Sequence, residues 1–276
     1  MKPIDCKIQN YYTQTGVLDD ITFMWKYGAG EHMQTAYKID IFHNDRLIYS
    51  TNKVISDTQN NIEVSLDLEE QTKYSFTVSV WDENDFCEQS DKTYFTTGAQ
   101  KWRGRWIGTK MGKPFVTRKT FTADTVKCAV LSVCVPGQFE AKINGKNISP
   151  YAYEGSQTDF NKHIYYSTYD VTEFIKNGEN EITIEAANGW YIGDDDNGRR
   201  YFYTMDKGYE PFGECLAVTA QLKIDDKYIV TDNSWEVSKS KTMLADIYGS
   251  EDIDNTIEYE WSKAKIVTAP KGELIP

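Results

Sequence analysis

From Ile21 to Thr97 the chain alternates apolar and polar residues with a period of two, the pattern of strands with one buried face. The runs are short: ITFMWK, TAYKIDIF, RLIYS, NIEVSLDL, YSFTVSVWD and TYFTT. Turn residues separate them in YGAGE, HND, EEQ and DENDF, and the 3.6-residue period of an amphipathic helix is absent. About seven strands in about 100 residues is the size of an immunoglobulin-like or fibronectin-type sandwich. Trp25 and Trp81 fall inside the runs and supply core bulk.

The pattern breaks at TTGAQKWRGRWIG, residues 96–108, where Gly98, Gly104 and Gly108 interrupt it. This predicts one domain over residues 1–100 and a second over 101–276, with Trp102 and Trp106 placed to hold the joint. Strands resume in FVTRKTFT, CAVLSVCV, FEAKINGKNIS, IYYSTYDV, NEITIEAA, CLAVTAQLKID, KYIVT and SWEVSKS. Asn144-Gly145 is a two-residue hairpin signal, because both residues tolerate the positive φ that such turns need. DVTEFIKNGEN, residues 170–180, accommodates one short helical turn stopped at Gly178. Eight or more antiparallel strands over about 170 residues predict a jelly roll, so the fold class is all-β throughout.

Composition narrows the function. A net charge of -12 repels a phosphate backbone, and no Lys/Arg-rich run offers a local exception, so nucleic acid is excluded as a partner. No apolar stretch approaches the roughly 20 residues that span a bilayer, and MKPIDCKIQNYY has no signal-peptide core. With Met1 as the native start, the expected location is the cytoplasm and no membrane partner is implied. Cys6, Cys87, Cys128, Cys134 and Cys215 are odd in number and lack CxxC spacing, which argues against a disulfide framework or a zinc site. Three histidines, His32, His43 and His163, leave little material for histidine chemistry. The 19 Tyr, 12 Phe and 7 Trp suit strand cores and also surfaces that stack on sugar rings.

In the second domain KINGKNI, GSQTDFNKHIYYSTYDVTEFIKNGENEITI, NGWYIG, AQLKI, DNSWE and ADIYGSEDID follow one another in an order that resembles the N-terminal domain of bacterial α-L-rhamnosidases, glycoside hydrolase family 78. QTAYKIDIF, YSFTVSVWDEN and TYFTTGAQKWRGRWIG resemble the fibronectin-like module that leads those enzymes. The resemblance implies a parent that hydrolyses terminal α-L-rhamnose by inversion, one carboxylic acid protonating the leaving oxygen and a second carboxylate activating water. Those carboxylates belong to a downstream (α/α)6 barrel that this chain lacks. No residue here inherits them, so the chain alone is expected to be inactive. Two departures stand out: Gly155-Ser156-Gln157 replaces the usual aromatic and glycine before TD, and Phe160 stands where Tyr is common.

Two stretches are candidate carbohydrate sites. In ANGWYIGDDDNGRRY, residues 187–201, Trp190 and Tyr191 offer ring faces, Asn197 an amide, and Asp194, Asp195 and Asp196 hard oxygens for Ca²⁺. No cofactor is required; Ca²⁺ is the one the donor set would suit. Against this, Gly198 breaks the EF-hand spacing, and Arg199 and Arg200 can neutralise the carboxylates, which describes a solvated loop. The second stretch is Thr158, Asp159, Asn161 and His163, set against the alternative that Asp159 braces its own turn. By the resemblance, family-67 carbohydrate-binding modules bind L-rhamnose with Ca²⁺. Tyr165 and Tyr169 share one strand face with Tyr166 opposite, and Glu251, Asp252 and Asp254 read as a solvated turn. The leading reading is a non-catalytic scaffold and rhamnose-glycan-binding region; a stand-alone lectin-like binder is the alternative.

Overall fold

A computed structural model describes residues 2–276 apart from 10, 12, 19, 28–31, 110–112, 152–153, 193–211, 214 and 247–249. The chain divides into two compact units, Met1–Lys101 and Trp102–Pro276.

In the first unit, β1 (Pro3–Ile8), β2 (Ile21–Tyr27) and β6 (Ile62–Val64) form one sheet. The other sheet runs β4 (Arg46–Ser50), β3 (Ala36–His43), β7 (Lys73–Trp81), β8 (Cys87–Gln89). Its path is extended by β5 (Val54–Ile55) against β3 and β9 (Thr93–Thr96) against β7. Alternation places the core: Tyr37, Ile39 and Ile41 face inward opposite Val80, Val78 and Phe76. Phe23 of β2 meets Phe76 edge-on at 4.8 Å, which joins the two sheets of an immunoglobulin-like sandwich. Trp25 is buried, and its indole N–H donates to the buried Gln34 Oε1 at 3.0 Å. Trp81 is only half-buried, with the Lys53 ammonium over its ring.

The second unit contains β10 (Ile107–Gly108), β11 (Phe115–Ala123), β12 (Ala129–Cys134), β13 (Gln138–Ile143), β14 (Lys146–Asn147), β15 (His163–Tyr165), β16 (Ser167–Asp170) and β17 (Gly178–Ala187). It continues with β18 (Thr219–Ile224), β19 (Lys227–Val230), β20 (Glu236–Lys239), β21 (Thr242–Asp246), β22 (Ser250–Ile253), β23 (Ser262–Lys263), β24 (Lys265–Ile266) and β25 (Glu273–Ile275). A six-stranded sheet of order β14-β13-β17-β11-β20-β23 and a four-stranded sheet of order β16-β12-β18-β19 make the jelly roll. Ile182, Ile184 and Ala186 of β17 are buried on one face, and Leu131, Val133, Ala220 and Leu222 are buried in the four-stranded sheet.

Asn144 and Gly145 take φ of 51° and 76°, the conformation that a two-residue turn joining β13 to β14 demands. The Asn144 side chain then donates to Asn180 Oδ1 at 2.8 Å, and Asn180, itself buried, holds Lys176 and Gly178 of the bend before β17. The helical turn in between is the 3₁₀ segment Thr172–Phe174.

An arm at the start of this unit lies on the polar face of the four-stranded sheet. The Trp102 indole N–H donates to Thr219 Oγ1 at 2.6 Å while its ring packs on Tyr166 at 5.1 Å. Arg103 N donates to Gln221 Oε1 at 2.7 Å, and Arg105 N to the Thr231 carbonyl at 2.7 Å. The Thr231 hydroxyl donates in turn to the Arg105 carbonyl at 2.7 Å, so the fully buried polar side chains Thr219, Gln221 and Thr231 all find partners in the arm.

Candidate functional site

Asp159 opens a tight turn before β15. Its carbonyl accepts from Lys162 N at 2.8 Å and His163 N at 3.0 Å, and its Oδ1 accepts from Asn161 N at 3.2 Å. Lys162 Nζ sits 3.2 Å from Oδ2. The lysine contact first, then the Asn161 amide, hold the exposed carboxyl below its ordinary range. Asp159 therefore braces its own turn. Asn161 and His163 are exposed, and Thr158 is half-buried.

The turn is fastened from the far end of the chain. β25 pairs with β15 in parallel, His163 opposite Glu273. Gly272 N donates to the Phe160 carbonyl at 3.0 Å and Glu273 N to the Lys162 carbonyl at 2.8 Å. A Cβ on Gly272 would lie 2.8 Å from that same carbonyl oxygen, so only glycine permits the approach.

The second stretch begins where β17 ends. Gly189, at φ 51°, turns the chain, and Tyr191 N donates back to the Asn188 carbonyl at 3.2 Å. Tyr191 is buried, and its phenol is pushed up to about 12 by that burial and, secondarily, by Cys215. Its ring meets Phe160 at 5.3 Å, and Phe160 also meets Phe212 at 5.2 Å, both edge-on. The structure thus joins the two candidate stretches through an aromatic contact between Phe160 and Tyr191, 31 residues apart in sequence. It encloses the Tyr191 ring rather than presenting it to solvent; Trp190 is half-buried.

Asp194, Asp195, Asp196, Asn197, Gly198, Arg199 and Arg200 lie outside the described residues. Among the described residues no group of three His, Cys, Asp or Glu side chains is gathered to hold a metal ion. Asp254 caps its own bend, its Oδ1 accepting from Thr256 N at 2.9 Å and Thr256 Oγ1 at 2.6 Å. Of the tyrosine stripe, Tyr166 is buried under Trp102, Tyr165 is exposed and Tyr169 is half-buried beside Glu154.

Sequence reading does not reach a further concentration of polar and aromatic groups on the outward face of the six-stranded sheet. There Glu140 stands opposite Glu185, and Lys142 opposite Thr183. Tyr259 and Trp261 pack together at 5.3 Å, and the Arg118 guanidinium covers the Trp261 ring at 4.0 Å. Alternation along β13 and β17 signals which side chains share a face, but the register that opposes them is not written in either strand alone.

The fold is that of a tandem β-sandwich, an immunoglobulin-like unit followed by a jelly roll. Residues 124–272 match the family described as Alpha-L-rhamnosidase N-terminal domain, and residues 3–101 match the Rha78A-like, N-terminal immunoglobulin domain. The chain belongs to the α-L-rhamnosidase N-terminal domain family. An α-L-rhamnosidase of Formosa agariphila is 26% identical over 272 residues, covering 86% of this chain and 28% of the relative. One of Alteromonas sp. (strain LOR) is 28% identical over 228 residues, covering 74% and 24%. The chain spans about a quarter of the length of these relatives. Among solved structures, the α-L-rhamnosidase from Dictyoglumus thermophilum aligns with a TM-score of 0.81 at 23% identity, over 99% of this chain and 35% of that one. The Streptomyces avermitilis α-L-rhamnosidase complexed with L-rhamnose aligns at 0.65 and 13% identity, over 98% and 45%.

Proposed function

We propose that this chain is the non-catalytic N-terminal region of an α-L-rhamnosidase, a scaffold for an (α/α)6 catalytic barrel, and that its jelly roll binds a rhamnose-containing glycan. The observation that carries the reading is the ordered pair of family matches on an all-β framework. Among the described residues the one helical element is the 3₁₀ turn Thr172–Phe174, which cannot contribute to a helical barrel. The general acid and the base of the hydrolysis therefore belong to the barrel.

The joined stretches around Phe160 and Tyr191 are the proposed sugar site. Asn161 and His163 provide exposed amide and imidazole groups, and Trp190 an apolar face. Asp194, Asp195, Asp196 and Asn197 are oxygen donors of the kind Ca²⁺ takes, and would hold that ion beside the sugar hydroxyls. A monosaccharide on an open sandwich buries little area, so the expected dissociation constant is on the order of 0.1–1 mM.

Two measurements test this. Incubation with an aryl α-L-rhamnoside should release only background aglycone; release abolished by mutating a carboxylate within the chain would overturn the scaffold reading. Calorimetry with L-rhamnose, with and without chelator, should show binding that weakens in Asn161→Ala and Asp196→Ala. Binding that is absent, or that ignores both substitutions and the chelator, would overturn the proposed site.

A further inference from the structure

The outward face of the six-stranded sheet carries an arrangement that stability alone does not explain. Glu140 and Glu185 are directly opposed across the β13–β17 pair, where like charges destabilise a sheet. Glu140 is partly offset, with Lys142 Nζ at 2.5 Å and Asn147 Nδ2 donating at 3.0 Å. Glu185 has no basic partner among the described residues; Ser240 Oγ donates to its Oε1, and its Oε2 accepts no hydrogen bond from them. The segment that carries Tyr259 is fastened to the same face: Glu260 N donates to Ser238 Oγ at 2.9 Å, and Ser238 and Glu185 both stand opposite Val116 of β11. Tyr259 is 41% exposed, and its phenol is pushed up first by partial burial and then by the charge of Glu185, with Lys142 opposing and Glu140 adding. The hydroxyl makes no hydrogen bond of its own to a described residue.

Charge on this face selects against ions. Glu236 is met by Arg118 at 3.0 Å and by Lys263 at 3.5 Å, and Glu181 by Arg118 at 3.8 Å, so acids and bases nearly balance within a chain of net charge -12. A polyanion would meet Glu185, whose charge no base among the described residues offsets, and a metal ion would meet Lys142. An uncharged ligand that both donates and accepts fits the alternation of carboxylate, ammonium, amide and phenol. Tyr259 and Trp261 add ring surface, the Arg118 guanidinium over the indole at 4.0 Å and the Lys241 ammonium over the Tyr259 ring at 5.6 Å, so a sugar would displace the flexible Lys241 side chain from the tyrosine face.

We infer that the Tyr259–Glu140–Glu185 face is a second carbohydrate-contact site, separate from the Phe160–Tyr191 region, that takes a neutral pyranose ring against Tyr259 with its hydroxyls on Glu140, Glu185 and Lys142. The choice of L-rhamnose as one probe rests on the function proposed above; D-galactose and D-glucose are probes that do not. Amide NMR of the full labelled chain, titrated with each sugar in turn, is the test. At least one sugar should give saturable shifts at residues 139–142, 184–186 and 258–261. Tyr259→Ala should weaken that binding about tenfold, and Tyr259→Phe, which keeps the ring, should retain most of it. Thermal unfolding of both variants at the parent's temperature shows that the fold is intact. Shifts confined to residues 158–163 and 188–192 would overturn this second site and leave the first standing. Shifts on the sheet face with galactose or glucose but none with rhamnose would support this site and count against rhamnose as the ligand. No shift from any of the three sugars, or a Tyr259→Ala chain that binds as the parent does, would overturn the inference.

Discussion

Replacing Gly104 by alanine sets two effects of opposite sign against each other. Gly104 is not among the glycines held at positive φ, so its backbone accepts alanine, and the loss of freedom in the unfolded chain would by itself stabilise by about 0.4–1 kcal/mol. The added Cβ, however, would stand 2.7 Å from the Ala220 carbonyl oxygen, 2.7 Å from Thr231 Oγ1 and 2.8 Å from Thr219 Oγ1. None of the three can withdraw freely. The Ala220 carbonyl accepts from Thr231 N at 2.9 Å, the Thr231 hydroxyl donates to the Arg105 carbonyl at 2.7 Å, and the Thr219 hydroxyl accepts from Trp102. Overpacking of this kind costs about 1–3 kcal/mol. We expect a net loss of about 1–2 kcal/mol, which for a unit of this size lowers the melting temperature by about 2–8 °C. Differential scanning calorimetry of the parent and Gly104→Ala chains measures it. Gly145→Ala is the comparison, because nothing lies within 4 Å of its added carbon and its cost comes from φ +76° alone. A Gly104→Ala chain that melts with the parent or above it would show that the arm does not pack as described.

Three further outcomes are expected. Asn180→Ala removes a buried side chain that accepts from Asn144 and Lys176 and donates to Lys176 and Gly178; denaturant unfolding should register a loss of about 2–4 kcal/mol, and a loss below about 1 kcal/mol would mean that the bend does not depend on it. His32 is raised above its ordinary 6.5 by hydrogen bonding to Glu83, whose own carboxyl falls to about 2, so the pair's contribution is complete between pH 4.5 and 6.5. That contribution is lost as pH rises through the elevated His32 value or falls through about 2; an NMR titration should place the His32 midpoint above 6.5 and return it toward 6.5 in Glu83→Gln. Cys134 is fully buried with its thiol raised far above the ordinary range, and Cys87 is exposed, so alkylation of the native chain followed by mass spectrometry should modify Cys87 and spare Cys134.

Much of the fold is legible because its signals are local. Alternation marks β2, β3, β7, β11, β13 and β17 within a residue or two, and Asn144-Gly145 announces its hairpin through the φ those residues allow. What is not legible depends on partners far away in sequence. The sequence marks Trp102 as a boundary aromatic, but the partners it finds within its own unit, Tyr166 and Thr219, lie 64 and 117 residues further on, beyond the reach of any local pattern. Tyr191 reads as a ring for a sugar until Phe160 is found against it. Asp159 is the instructive case, since Asp beside Asn and Lys spells both a polar site and a self-braced turn, and only the donors around its oxygens separate the two.

The parallel pairing of β15 with β25 has a mechanical meaning. Antiparallel neighbours joined at one end can be peeled apart one bond at a time. Here Gly272 N, Glu273 N and the Ile275 carbonyl, which accepts from Tyr166 N at 2.9 Å, are bonded in series to residues 160, 162 and 166 running in the same direction. Tension applied along the chain at Ile275 would load these bonds in shear, together. A displacement of this segment would therefore be passed to the turn that carries Asn161 and His163, the residues proposed to meet the sugar.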